Sequence, residues 1–163
     1  MKKMIIAACM MIAGFSSAFA QQGKQAFGGS ISYGTEIESI GIGAKYQYNI
    51  TRAIRLEPSM NYFFENDGLS MFDINANVHY LVPIASNARL YPLFGFTYTN
   101  WNLDLGKVDG YDIDGSKSKF GVNLGAGMDF DLASNWTMNI EIKYQLISDF
   151  DQAVFNLGVA YNF

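Results

Sequence analysis

The sequence predicts an all-β protein: an eight-stranded antiparallel up-and-down β-barrel that crosses a membrane, residues 21–163, after a cleaved signal peptide, residues 1–20. Three observations lead there. Segment after segment alternates an apolar face with a polar or glycine-rich one. The segments run about nine to fifteen residues each. That is longer than the ~5–6 residues of ordinary strands and enough for the ~9–11 needed to cross a bilayer at a tilt. The chain also opens like an exported protein.

Met1, Lys2 and Lys3 form a short basic region, followed by an apolar run from Met4 to Phe15. Small residues then lead to Ser17-Ala18-Phe19-Ala20. Ala18 and Ala20 supply the small-x-small pattern a signal peptidase admits, which places cleavage after Ala20. Ile6-Ala7-Ala8-Cys9 has the look of a lipidation site, but lipidation there would leave too short an apolar core ahead of it. With Cys9 inside the signal, the chain's one cysteine is removed, and with it disulfide or thiol chemistry.

Loss of the signal takes two of the eleven basic residues and leaves nine against fifteen acidic ones, a net charge of −6. An acidic chain without basic runs is a poor partner for nucleic acid. The 13 Phe, 10 Tyr and 2 Trp against only 3 Pro favour strands. No run after the signal approaches the ~18 apolar residues of a spanning helix, so a membrane could be crossed only by a closed barrel.

The elements follow in order. Near Phe27–Tyr33, Ile31 and Tyr33 oppose Gly28, Ser30 and Ser32. In 42–50, Ala44, Tyr46 and Tyr48 oppose Gly43, Lys45, Gln47 and Asn49. In 54–64, Leu56, Pro58, Met60, Tyr62 and Phe64 oppose Arg55, Glu57, Ser59 and Asn61, with Phe63 out of place. In 72–80, Phe72, Ile74, Ala76, Val78 and Tyr80 oppose Asp73, Asn75, Asn77 and His79. The stretch 90–105 breaks the rule: Phe94, Phe96 and Tyr98 have one parity, Trp101, Leu103 and Leu105 the other. A β-bulge near Thr99–Asn100 would reconcile them. Three regular strands end the chain: 121–132, 136–146 and 154–163, the last with Phe155, Leu157, Val159, Tyr161 and Phe163 on one face.

Connections alternate in character. Asn49–Arg52, Ser86–Arg89 and Ala133–Asn135 are short; Glu36–Ser39, Glu65–Ser70, Gly106–Lys119 and Ser148–Gln152 are more acidic, and one is long. Short turns on one side and longer loops on the other are the pattern of membrane barrels. The polar faces are rich in Gly, Asn, Ser and Ala, which suit a crowded interior. The apolar faces carry aromatics near both ends, such as Tyr48, Trp136 and Tyr161 at one and Tyr62, Phe72 and Tyr144 at the other. Two aromatic girdles mark the lipid–water boundaries, so the apolar faces are expected to point outward to lipid.

The export signal, the Gly121-Val-Asn-Leu-Gly125-Ala-Gly127 inward face and the ending Val159-Ala-Tyr161-Asn-Phe163 together resemble the small eight-stranded outer-membrane barrels of the OmpA/OmpX and opacity type, the porin-family barrel proteins. The resemblance implies a place in the bacterial outer membrane. It also implies a barrel-assembly signal at Tyr161 and Phe163, recognised by the barrel-assembly machinery. The expected partners are therefore outer-membrane lipid and that machinery, with no nucleic acid, and the protein is expected to be a monomer.

Lys45, Arg55, Glu57, Asp73, Asp129, Asp131, Glu141 and Lys143 all take the polar parity. Buried charge is costly unless paired, and eight strands enclose only room for side chains. Ion pairs among Lys45, Arg55, Glu57, Glu141 and Lys143 are expected to form an interior charge network that plugs or gates the lumen. His79 is the only histidine and has no serine beside it, so it is expected to be a hydrogen-bonded interior residue rather than a catalytic one. Asp109, Asp112 and Asp114 have the alternation of a calcium loop without its full spacing or closing glutamate, and Lys107, Lys117 and Lys119 offset them. No catalytic residue, metal ligand set or cofactor is expected. The functional expectation is a non-enzymatic barrel with a role in envelope structure or surface interaction. The alternative is a narrow passive pore for small solutes or cations, and an enzyme acting on lipid at the rim comes third.

Overall fold

The structure is a computed structural model that describes residues 23–108, 111–148 and 151–163. The proposed signal, 1–20, lies outside them. Nine strand segments follow one another: β1 (Gln25–Gly34), β2 (Ser39–Asn49), β3 (Ile54–Asn66), β4 (Leu69–Tyr80), β5 (Val82–Ala85), β6 (Ala88–Val108), β7 (Tyr111–Ala133), β8 (Trp136–Ile147) and β9 (Gln152–Asn162). Apart from β4 and β5, strands adjacent in sequence pair antiparallel. Pairing of β1 with β9 and of β4 with β6 closes the ring. β5 continues β4 beyond a break at Leu81 and pairs with the same partner, β6, so the barrel has eight staves. Closure leaves no sheet edge along the wall, and every wall residue can pair its backbone on both sides.

The barrel is apolar outside and polar inside. Ile31, Ile42, Met60, Ile74, Phe96, Ile140 and Leu157 are about half exposed on the outer face. Lys45, Arg55, Glu57, Asp73, His79, Asp129, Glu141 and Lys143 are buried in the lumen. Water would make the first set costly to expose, whereas hydrocarbon makes it free. Such a polarity suits a barrel set in lipid.

Turn chemistry fixes the register. Asp67 and Gly68 both have positive φ, 49° and 77°, between the paired Asn66 and Leu69. That is a two-residue type I′ hairpin, and it reduces the expected Glu65–Ser70 loop to a tight turn. At the opposite end the Thr51 Oγ1 accepts from the backbone N–H groups of Ala53 and Ile54, closing the β2–β3 turn.

Two expectations are corrected. There is no bulge at Thr99–Asn100: β6 pairs with β4 and with β7 in unbroken register through Leu103. The shift lies farther on, between Asp104 and Lys107. Parity therefore holds, and Trp101 points inward with Thr97 and Thr99, as its 2 % exposure shows. Phe63, also out of place in the pattern, points inward for the same reason. The expected long loop Gly106–Lys119 is instead mostly ladder: β6 and β7 continue as a hairpin beyond the rim, where β8 ends at Ile147 opposite Gly121. Asp109 of the calcium-like motif lies outside the described residues, as do 149–150 of the last connection.

Candidate functional site

The lumen is stratified. At the end of the barrel away from the chain termini, Ile37, Phe63, Met71, Trp101 and Val154 form a buried apolar cluster with Leu69 packed on it. They come from the β1–β2 turn and from β3, β4, β6 and β9, so their side chains converge from around the wall.

An amide layer follows. The Asp73 carboxylate, fully buried, accepts from the Asn61 backbone N–H at 3.1 Å, Asn61 Nδ2 at 2.7 Å, Asn75 Nδ2 at 2.8 Å and Gln145 Nε2 at 3.2 Å. No Lys or Arg ion pair with Asp73 is found among the described residues. Neutral N–H donors hold this charge. Asn123 Nδ2 joins Asn75 and Asn77 across the wall, and Gln152 Nε2 donates to Gln145 at 2.7 Å.

Deeper lies the charged layer, built on two rings. His79 from β4 and Tyr91 from β6 stack nearly parallel, centroids 4.4 Å apart. A Cβ at Gly127 would fall on the Tyr91 ring, so the glycine of the facing strand gives the ring its place. Arg55 lies over Tyr91, 4.8 Å from its centroid, donates to His79 Nδ1 and pairs with Asp129 at 2.6 Å. Tyr91 donates its hydroxyl to Glu141 at 3.0 Å. Gln47 donates to Glu57 and Lys45 to Asn139, each at 2.6 Å.

All five residues expected to form the charge network, Lys45, Arg55, Glu57, Glu141 and Lys143, sit in the lumen. The expected ion pairs among them do not form within 4.0 Å: Arg55 pairs instead with Asp129, and Arg89 with Asp129 and Asp131. The stacked rings occupy the space between the charges and give them neutral partners. Lys143 projects from β8 opposite Gly125 of β7, whose lack of a side chain leaves it room. Sequence reasoning passed over Tyr91 and Asp129 as partners. Their signal was parity with Arg89 on β6 and with Asp131 on β7.

The lumen opens at the terminal end as a polar vestibule of about 230 Å³, whose lining includes Lys24, Gln47, Arg55, Arg89, Asp131 and Thr137. Arg89 grips Asp131 with two hydrogen bonds, 2.9 and 2.6 Å. Trp136 packs edge-on against Tyr161, 5.2 Å between centroids, and the Phe163 backbone N–H bonds to Gln25 O at 2.9 Å, so the expected assembly signal lies on the β1–β9–β8 seam.

Among the described residues one set of side chains has the spacing of a metal site: Glu57, His79 and Glu141, all buried, their ligand atoms within 4.8 Å of one another. No ligand set was expected from the sequence, because the three lie on β3, β4 and β8 and only the closed barrel joins them.

The sequence profile of the outer membrane protein beta-barrel domain family matches residues 6–163. A search of curated protein sequences finds no match. Solved structures do match. The N-terminal β-barrel domain of OprF from Pseudomonas aeruginosa is 18 % identical with a TM-score of 0.68, over 87 % of this chain and 98 % of that one. Neisserial surface protein A is 12 % identical with a TM-score of 0.68, over 86 % and 96 %. Ail, the attachment invasion locus protein of Yersinia pestis, is 20 % identical with a TM-score of 0.59, over 87 % and 99 %.

Proposed function

The chain belongs to the outer membrane protein beta-barrel domain family, and from that premise we propose that it is a non-enzymatic barrel, closed to solutes, with a role in envelope structure or surface interaction. It is a bacterial outer-membrane protein with a lipid-facing wall. In such proteins the termini and short turns lie on the periplasmic side, so the apolar cluster faces outward and the vestibule faces the periplasm.

The observation that carries the reading is the sealed outer end of the lumen. Phe63, Met71 and Val154 are wholly buried and Trp101 nearly so. The amide and charged layers fill the space beneath. An eight-stranded ring leaves room for little else. Among the described residues no serine, threonine or cysteine bonds to His79, whose Nδ1 is engaged by Arg55. Surface interaction falls to the long β6–β7 hairpin. In support, two structures of like fold carry names of surface and attachment proteins.

The test is conductance across a planar bilayer of the chain lacking residues 1–20, with folding confirmed beforehand by a heat-dependent gel shift. Silence of the inserted, folded protein is expected. Regular conductance steps would overturn the closed lumen and make the protein a pore.

A further inference from the structure

Glu57 and Glu141 stand in the charged layer without a cation in contact. Among the described residues the one basic nitrogen within 4.0 Å of either is His79 Nε2, 3.8 Å from Glu57 Oε1 and 4.0 Å from Glu141 Oε2. Both distances are too long for hydrogen bonds. Nε2 is buried and has no hydrogen-bond partner. Of the nearby cations, Arg55 is turned to Asp129 and Lys45 to Asn139, and the Lys143 ammonium lies more than 4.0 Å from both carboxylates. His79 does not supply the missing charge itself. A guanidinium can only donate, so Nδ1, at 2.9 Å from Arg55 Nη2 and 3.2 Å from Nε, must be the accepting nitrogen. The ring then carries one proton, on Nε2, and is neutral.

We propose that Glu57, His79 and Glu141 bind a first-row divalent cation of the zinc type within the lumen. The donor set of one imidazole nitrogen and two carboxylates is that of an open zinc site, with the fourth position left to water. Zinc bonds of about 2.0–2.2 Å put neighbouring ligand atoms of a tetrahedron about 3.2–3.6 Å apart. The three groups reach that geometry by closing a few tenths of an ångström on the imidazole side and at most about 1.5 Å between the carboxylates. The ion replaces the proton on Nε2, which leaves to solvent, while Nδ1 keeps its bond from Arg55. Gln47 holds the outer oxygen of Glu57, Oε2, and Tyr91 donates to Oε2 of Glu141, the oxygen that faces His79, so both carboxylates are oriented. Gln47 and Arg55 also line the vestibule, which gives the ion a way in from the periplasm.

The experiment uses tag-free protein lacking residues 1–20, refolded in detergent, checked by the gel shift, stripped with chelator and titrated with Zn²⁺ by calorimetry. Co²⁺ serves as a second probe through its visible spectrum. One Zn²⁺ per barrel and a tetrahedral Co²⁺ spectrum are expected. Glu57→Gln and Glu141→Gln, which keep shape and hydrogen bonds, should each weaken binding at least about tenfold, and His79→Gln should abolish it. Absence of saturable uptake by the folded native sequence overturns the proposal, whatever the variants do. Equal uptake by folded His79→Gln, or by both glutamine variants at the carboxylates, overturns it as well.

Discussion

Arg55 and Asp129, 74 residues apart in sequence, meet across the lumen with 2.6 Å between Nη1 and Oδ2. The pair joins β3 to β7 through the interior rather than along the wall. Breaking a buried pair leaves a charge with nothing to offset its desolvation. Asp129→Ala should therefore cost about 3–5 kcal/mol, read as a lower urea midpoint of the folded barrel in lipid. Replacing both residues, Arg55→Met with Asp129→Leu, should cost less than the single change, which a double-mutant cycle checks.

Asp73 makes the opposite case, a carboxylate held by amides. Asp73→Ala strands the donors of Asn61, Asn75 and Gln145 in a buried layer. Each unmet donor costs about 1–3 kcal/mol, so this variant is expected to be among the least stable of the lumen substitutions. Asp73→Asn can still accept on one oxygen and should fall between it and the native sequence. Denaturant midpoints of the three proteins give the order.

Removing Trp101 tests whether the apolar cluster is seal or structure. Trp101→Ala should lower stability by about 3–5 kcal/mol, as for other large core truncations. The bilayer should stay electrically silent, because the amide and charged layers still fill the lumen below. Paired conductance and unfolding measurements on one preparation separate the two effects.

Gly127→Ala should push the Tyr91 ring off its place and disturb both the stack on His79 and the bond to Glu141. Overpacking of this kind costs about 1–3 kcal/mol. Tyr91→Phe in the same background should add little, since the hydroxyl bond is already strained away. The ultraviolet circular dichroism of the aromatic region and the urea midpoint report on it together.

Deletion of Phe163 removes one backbone bond to Gln25, and Tyr161→Ala removes a ring from Trp136. Neither should do much to a barrel refolded in detergent. Both should reduce the amount of folded protein in the outer membrane of growing cells, the outcome expected of the proposed recognition of these residues by the assembly machinery. Quantifying heat-shifted protein in membranes against refolding yield in vitro tells recognition from stability.

Strand alternation was legible because lipid and lumen make opposite demands on neighbouring residues. It told the wall positions of β7, β8 and β9 almost residue by residue. It misled at Phe63 and Trp101, where the lumen itself is apolar, since hydrophobicity does not distinguish a ring facing lipid from a ring sealing the interior. Along 115–118 it vanished: Gly115, Ser116, Lys117 and Ser118 are all exposed, and where both faces of a strand meet water there is no apolar side to betray it. Which charges pair was not legible either. Residues at one height in the lumen come from distant staves, and the stagger of the barrel decides who meets whom. That is how Glu57, His79 and Glu141 came together unannounced.

The polar vestibule and the apolar outer cluster together make the interior one-sided. With the orientation and the closed lumen proposed above, whatever water the charged layer holds exchanges with the periplasm alone, so its ionic composition and acidity are those of that compartment. In effect the barrel carries a small inlet of the periplasm up into the outer membrane, hidden from the medium. A membrane-impermeant amine reagent added to intact cells should leave Lys24 of the vestibule unmodified, while the same reagent released on the inner side should reach it.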